Sequence, residues 1–173
     1  FQLGASYEKL IKESLDAGVT IDAISLQSHM HSRYRGAKWA WSVCQRFSKF
    51  NKPLHFTELT ILSGKLKTDN DWHKKRTDWG STPEGEKRQA AQVVEFYRLL
   101  YSHPSVAAIT WWDFSDARAW QGAPAGLVRK DMSPKPAYTA LAKLIKGAWW
   151  TPPTKLKTDA QGKVTFRGHL GKH

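Results

Sequence analysis

At 173 residues, 40% apolar and 24% charged, the chain has room for about one domain and enough apolar surface for a real core, which excludes wholesale disorder. No run approaches the roughly 18 consecutive apolar residues of a membrane span, so no membrane partner is expected. Lys and Arg outnumber Asp and Glu 27 to 15, a formal charge of +12. The basic residues are scattered without a run of five, which argues against nucleic acid as the main partner. Cys44 is the one cysteine, so there is no disulfide framework and no thiolate metal site. It falls in an apolar helical stretch and reads as a buried, inert thiol.

In chain order, Ser6 can cap a helix with Tyr7, Leu10, Ile11 and Leu15 on one face and Gly18 at its end. A β-like run follows over 21–29. Residues 36–50 read as a helix presenting Trp39, Val43, Phe47 and Phe50, stopped by Pro53, and a second strand spans 54–61. Residues 62–82 are irregular and polar, a length that usually marks a functional or mobile loop. Ser81 and Glu84 have capping-box spacing, with Pro83 in the first turn of the next helix. That helix shows Val93, Val94, Tyr97, Leu100 and Tyr101, and Pro104 ends it. A third strand covers 106–112, a second loop 113–133, and a last helix starts near Pro136 with Tyr138, Leu141, Leu144 and Ile145 inward. The tail, 151–173, is rich in Lys, and 163–167 could form one strand of a truncated β-rich appendage. The expected division is 1–150 and 151–173.

The order α-βα-βα-βα implies an α/β fold with parallel strands joined by right-handed crossovers. In such folds function gathers at the carboxyl ends of the strands. Alternation puts Ser25, Gln27 and His29 on one face of the first strand, Phe56, Glu58 and Thr60 on one face of the second, and Ala108, Thr110 and Trp112 on one face of the third. The loops that follow bring His31, Arg33 and Tyr34, then Trp72, His73 and Trp79, then Asp116, Arg118 and Trp120 to the same end. Glu58 is the sharpest residue, an acid in a strand otherwise built of Leu, Phe and Ile. A carboxylate beside a His, an amide and a Trp suits a glycosidase nucleophile. A metal pair at His29 and His31, completed by Asp113 or Asp116, is a weaker alternative. Trp39 and Trp41 read as largely core. No glycine-rich phosphate motif is present, and no cofactor is expected.

Four motifs then carry a resemblance. Residues 26–29 (LQSH), 56–59 (FTEL), 109–116 (ITWWDFSD, with Trp120) and 134–138 (PKPAY) resemble the last three strands and final helix of glycoside hydrolase family 10. The likeness covers roughly residues 5–147. It implies a (β/α)8 barrel of which this chain is the C-terminal part, strands six to eight, and a retaining endo-1,4-β-xylanase. By the same resemblance Glu58 matches the nucleophile, His29 the histidine that hydrogen-bonds it, and Gln27 the nearby glutamine. Trp112 and Trp120 match tryptophans of the sugar subsites, and Asp116 a loop aspartate in a supporting role. The implied partner is a β-1,4-linked polysaccharide such as xylan, and the implied location is secreted or extracytoplasmic.

Two departures stand out. The family often has Asp two residues after the nucleophile, where this chain has Thr60, and Gly after the eighth-strand Trp, where it has Asp113. The acid/base glutamate belongs to a fourth strand not present here, so the fragment alone is expected to be inactive, with its open edges covered by an N-terminal half or a second copy. Glu58 and His29 should lie side by side. A non-catalytic carbohydrate-binding relative, which would keep the tryptophans without needing Glu58, is the other rival.

Overall fold

A computed structural model describes residues 4–169. Its elements are α1 (Gly4–Asp16), β1 (Ile24–Met30), α2 (Gly36–Ser48), β2 (Leu54–Ile61), α3 (Pro83–Ser102), β3 (Val106–Trp111) and α4 (Pro136–Lys143), the last running into a wider helical turn over Leu144–Ala148. The strands form one sheet in the order β1-β2-β3, both pairings parallel. Among the described residues β1 and β3 have no outer neighbour.

The core lies between the sheet and its helices. Along β1, Ile24, Leu26, Ser28 and Met30 are buried while Ser25 and Gln27 are exposed, the period-2 pattern of a strand covered on one face. Phe47 of α2, Phe56 of β2 and Phe96 and Leu100 of α3 are buried against one another's elements, with Phe56 and Phe96 edge to face at 6.2 Å. Each such side chain contributes roughly 1.5–3 kcal/mol by leaving water. Cys44 is fully buried, and burial pushes its thiol up to about 12, so it stays a thiol.

Several expectations are corrected here. The strand parity breaks within β2: Leu26 pairs with Phe56 but Gln27 pairs with Glu58, so Thr57 is an extra residue. This bulge turns Phe56 into the helix-side core and leaves Glu58 on the other face, with Gln27 and His29. Ser6 lies inside α1 rather than capping it, although Gly18 ends the helix as expected, at φ +80° with its N–H on the Leu15 carbonyl. The cap of α3 is Thr82, whose hydroxyl accepts from the Gly85 N–H at 3.0 Å, not Ser81. Trp41, Tyr101, Tyr138 and Ile145 are exposed rather than core; Trp41 lies edge-on to the His103 ring at 4.7 Å and Tyr101 stacks on Trp149 at 4.0 Å. Tyr34 turns away from the carboxyl end and donates to Glu95 of α3 at 2.7 Å. Residues 163–167 join no sheet; beyond Trp150 the described tail has one turn, closed by Asp159 and Lys163, and no strand.

Candidate active site

Glu58 and His29 meet at the carboxyl ends of adjacent parallel strands, side by side on the face away from the helices. His29 Nε2 lies 2.9 Å from Glu58 Oε2, and Gln27 Nε2 donates to Glu58 Oε1 at 3.0 Å. Both carboxylate oxygens are thus engaged, from two residues of β1 spaced by two, a spacing that only the pleat provides. The side chains are about three-quarters or more buried, at 25% exposed for Glu58 and 16% for His29. Behind them, His29 Nδ1 is 3.0 Å from the fully buried Thr60 hydroxyl. A hydroxyl donates or accepts, so it satisfies Nδ1 in either protonation state, where a carboxylate would only accept. With Glu58 ionised, His29 must carry its proton on Nε2. Both ring nitrogens are then occupied.

Aromatic rings wall this pair. Trp112 meets the His29 ring edge-on at 5.9 Å, and Trp120 lies over it at 5.2 Å with a tilt of 39°. Trp112 and Trp120 remain 39% and 37% exposed. Asp113, just after Trp112, sits at φ +67°, the left-handed region that suits glycine, and both its oxygens accept the Trp120 N–H at 3.1 Å. The strained residue therefore fixes the tryptophan. Burial raises the pKa of Asp113 above the usual carboxylate value.

His31 is the second residue of the alternative metal pair. Its ring is fully buried, in contact with Trp72, Trp79, Trp120 and His29 at 5.3–6.1 Å. Neither ring nitrogen has a hydrogen-bond partner among the described residues. Burial, aided by the neighbouring His29 and Lys67, lowers its pKa to about 4, so it is neutral at pH 7. Among the described residues no three His, Cys, Asp or Glu side chains are grouped as a metal would need.

The two long loops are folded around the site rather than loose. Asp116 accepts from Lys135 Nζ at 2.7–2.8 Å, from Ser81 Oγ at 3.1 Å and from the Gly126 N–H at 2.8 Å. Lys135 Nζ also donates to Ser63 Oγ at 2.9 Å. This buried ion pair ties both loops to the start of α4. Burial lowers the pKa of Lys135, and Asp116 opposes that. In loop 62–82, Lys67 and Arg76 both pair with Asp69, and Lys67 lies over the Trp72 ring at 4.7 Å. Gly122, at φ +71°, lets loop 113–133 approach: a Cβ there would lie 2.1 Å from the Arg76 carbonyl. Gln121 Nε2 donates to the Trp72 carbonyl at 2.5 Å. Trp79 donates to the Lys65 carbonyl and packs on Leu62, Ala123 and Ala125, so it serves packing. Trp72, 41% exposed, is parallel to Trp120 within 9° at 6.0 Å and faces the site. Sequence reasoning gave Lys135 and Gln121 no role; a lysine between two prolines was the one available signal.

The profile of the family described as Glycosyl hydrolase family 10 matches residues 4–144. Endo-1,4-beta-xylanase B of Thermotoga neapolitana is 28% identical over 144 residues, which is 79% of this chain and 38% of that protein. Anti-sigma-I factor RsgI6 of Acetivibrio thermocellus is 32% identical over 95 residues, 55% of this chain and 12% of that protein. Xylanase 10B from Thermotoga petrophila, solved in complex with xylobiose, superposes with a TM-score of 0.62 at 26% identity, covering 81% of this chain and 41% of that one. A thermostable mutant of the Cellvibrio japonicus xylanase Xyn10A superposes at 0.66 and 23% identity, covering 83% and 45%. This chain thus spans less than half the length of these relatives, and its three βα units are part of a barrel.

Proposed function

The chain belongs to glycosyl hydrolase family 10, and from that premise we propose that it carries the nucleophile half of a retaining endo-1,4-β-xylanase site. One observation carries the reading: the Glu58 carboxylate holds a hydrogen bond on each oxygen, from Gln27 and His29, at the open carboxyl end of a parallel sheet. Two donors hold the carboxylate in place and fix which lone pairs are left for attack. Attack by a Glu58 oxygen on the anomeric carbon forms a glycosyl ester as the glycosidic C–O bond breaks, and the leaving oxygen needs a proton. That proton comes from a second carboxyl about 5–5.5 Å away. The family resemblance assigns the acid/base to a glutamate on another strand of the barrel; Asp113, the carboxyl at the end of β3, instead has both oxygens on the backbone N–H of Trp120. Residues 4–169 alone therefore turn over negligibly, since acid–base help contributes about 10²–10⁴-fold. Trp112 and Trp120 supply apolar walls for sugar rings, and the reading implies action outside the cytoplasm.

Engagement of both His29 nitrogens supports this reading over metal chemistry at His29 and His31. A second reading is a non-catalytic site that binds polysaccharide without cleaving it, which would keep Trp112 and Trp120 without needing Glu58; likeness to a protein named as an anti-sigma factor and not as a hydrolase leaves room for it. The test treats the full-length protein with a 2-fluoro xylobioside carrying a good leaving group. Mass spectrometry of the digest should find the xylobiosyl adduct on the peptide containing Glu58, and Glu58→Ala should abolish both the adduct and reducing-sugar release. Saccharide binding with no adduct, unchanged in Glu58→Ala, would establish the non-catalytic binding reading instead.

A further inference from the structure

We infer that Asp113 is a positioning residue for Glu58: its carboxylate holds Trp120 over the His29 ring, and through that ring it steadies the oxygen that His29 engages. The inference rests on the retaining-hydrolase reading of the Glu58 site and adds to it a residue and a proton dependence.

The backbone supplies the first observation. Asp113 lies two residues beyond Trp111, the end of β3, at φ +67°, in the left-handed region. Glycine enters that region freely, whereas a residue with a Cβ enters at a cost, least for Asn and Asp. Glycine would serve the turn better, so the aspartate side chain contributes something that glycine cannot. Both of its oxygens accept the Trp120 N–H at 3.1 Å. Trp120 is the first residue of a short 3₁₀ turn, Trp120–Gly122, so its N–H has no acceptor within that turn. Asp113 caps it from seven residues upstream.

The second observation is what the capped residue touches. The Trp120 ring lies over His29 at 5.2 Å, edge-on to His31 at 5.3 Å and parallel to Trp72 at 6.0 Å. His29 in turn sets Nε2 against Glu58 Oε2 at 2.9 Å. A chain of contacts therefore runs from the Asp113 carboxylate through Trp120 and His29 to one oxygen of Glu58. Gln27 restrains the other oxygen independently. Loss of the Asp113 contact thus loosens one of two restraints, a partial effect.

Charge supplies the third. Asp113 is half-buried, and burial favours its neutral form. The charged groups acting on it are His29 from β1, which favours the carboxylate, and Asp116 from its own loop, which opposes it and is itself paired with Lys135. Glu58 of β2 is engaged by the same His29 ring. An ionised acceptor makes a hydrogen bond roughly twice as strong as a neutral one. Protonation of Asp113 therefore weakens the hold on Trp120, and it sets in at a higher pH than for an exposed aspartate.

The test uses the full-length protein and the 2-fluoro xylobioside with its good leaving group. That group departs as an anion while the bond from Glu58 to the sugar forms, so no acid is needed and the labelling rate reads the placement of Glu58. Asp113→Gly relaxes the backbone and removes the cap. Its labelling rate constant should fall about 3–10-fold at pH 7, within what one hydrogen bond is worth, while the dissociation constant of the reagent moves by less than about 2-fold. Asp113→Asn keeps an acceptor in a residue that tolerates the left-handed region, and should restore the rate to within about 2-fold of the unmodified protein. Asparagine does not titrate. Between about pH 7 and about pH 4.5 the unmodified protein should therefore lose more of its rate than Asp113→Asn does. An undiminished rate in Asp113→Gly would reduce Asp113 to a turn residue and overturn this inference while leaving the xylanase reading standing. Identical acid limbs for the unmodified protein and Asp113→Asn would also overturn it, since a carboxylate's hold weakens on protonation. No adduct on Glu58 in the unmodified protein would overturn the retaining-hydrolase reading and this inference together.

Discussion

Residues 62–82 and residues 151–169 are both polar, Lys-containing stretches without regular helix or strand, yet the first is built into the molecule and the second lies outside it. Loop 62–82 buries Leu62, Ser63 and Lys67; Ser63 bonds the Pro124 carbonyl and Lys135 Nζ, and Lys67 Nζ bonds Asp69 within the loop. Beyond Thr151 the tail has no buried residue among those described, and its ties run mainly through its own turn and through His169 to Ala148 and Thr151. Composition does not separate the two. What separates them is an anchor in the body: Asp116 and Lys135 wait beneath the loop, and among the described residues nothing equivalent lies beneath the tail.

The largest effect should come from breaking that anchor. Asp116→Ala leaves the fully buried Lys135 ammonium with the Ser63 hydroxyl alone, and strips Ser81 and Gly126 of their acceptor. Removing one partner of a buried pair costs about 3–5 kcal/mol. Denaturant unfolding of the full-length protein should register that loss, while Lys157→Ala in the exposed tail should stay within about 0.5 kcal/mol. Similar costs for the two substitutions would erase the contrast drawn between the regions.

Acid should act on the loop and spare the tail. The His31 ring is held neutral beneath Trp72 and Trp79, with its pKa lowered to about 4 from 6.5. The unfolded chain therefore binds the extra proton first. Stability from this residue is complete above about pH 6.5 and is lost as pH falls toward about 4, a loss of up to about 3 kcal/mol. His31→Gln should flatten that slope, read as unfolding free energy at pH 7 and pH 4.5. An unchanged slope would show that His31 takes up its proton as easily folded as unfolded.

The sheet and the carboxylate were legible because their signals are local. Strand and helix alternate in the sequence, and Glu58 interrupts an apolar strand, so parity placed it with Gln27 and His29. Parity failed at Phe56 because one bulge residue, Thr57, resets the count, and a bulge leaves no mark in a hydrophobic pattern. The α3 cap shifted by one residue because Ser81 and Thr82 are both competent caps. The choice was made by Ser63 and Asp116, which claim the Ser81 hydroxyl from 18 and 35 residues away. Lys135 was illegible for the same reason: a lysine looks like surface until its aspartate is known. Residues 163–167 show the reverse, a strand-like alternation that meets no partner strand.

The smallest effect expected is from removing the tail itself. Leu156, Val164 and Phe166 are each about half exposed, so little apolar area leaves water when residues 151–169 take up their positions. The backbone bonds that close the turn join Asp159 to Gly162 and Lys163, inside the tail, and cannot stabilise the sheet. The His169 ring bonds the Ala148 carbonyl of the body, and an exposed hydrogen bond of this kind contributes about 0.5–1.5 kcal/mol before the entropy of ordering some twenty residues is set against it. Excising residues 151–169 from the full-length protein should therefore shift the unfolding free energy of the βα units by less than about 0.5 kcal/mol and leave amide exchange in β1, β2 and β3 unchanged. A loss above about 1 kcal/mol, or faster exchange in α4, would mean that the tail covers the body as the loop does, and the distinction between the two regions would fail.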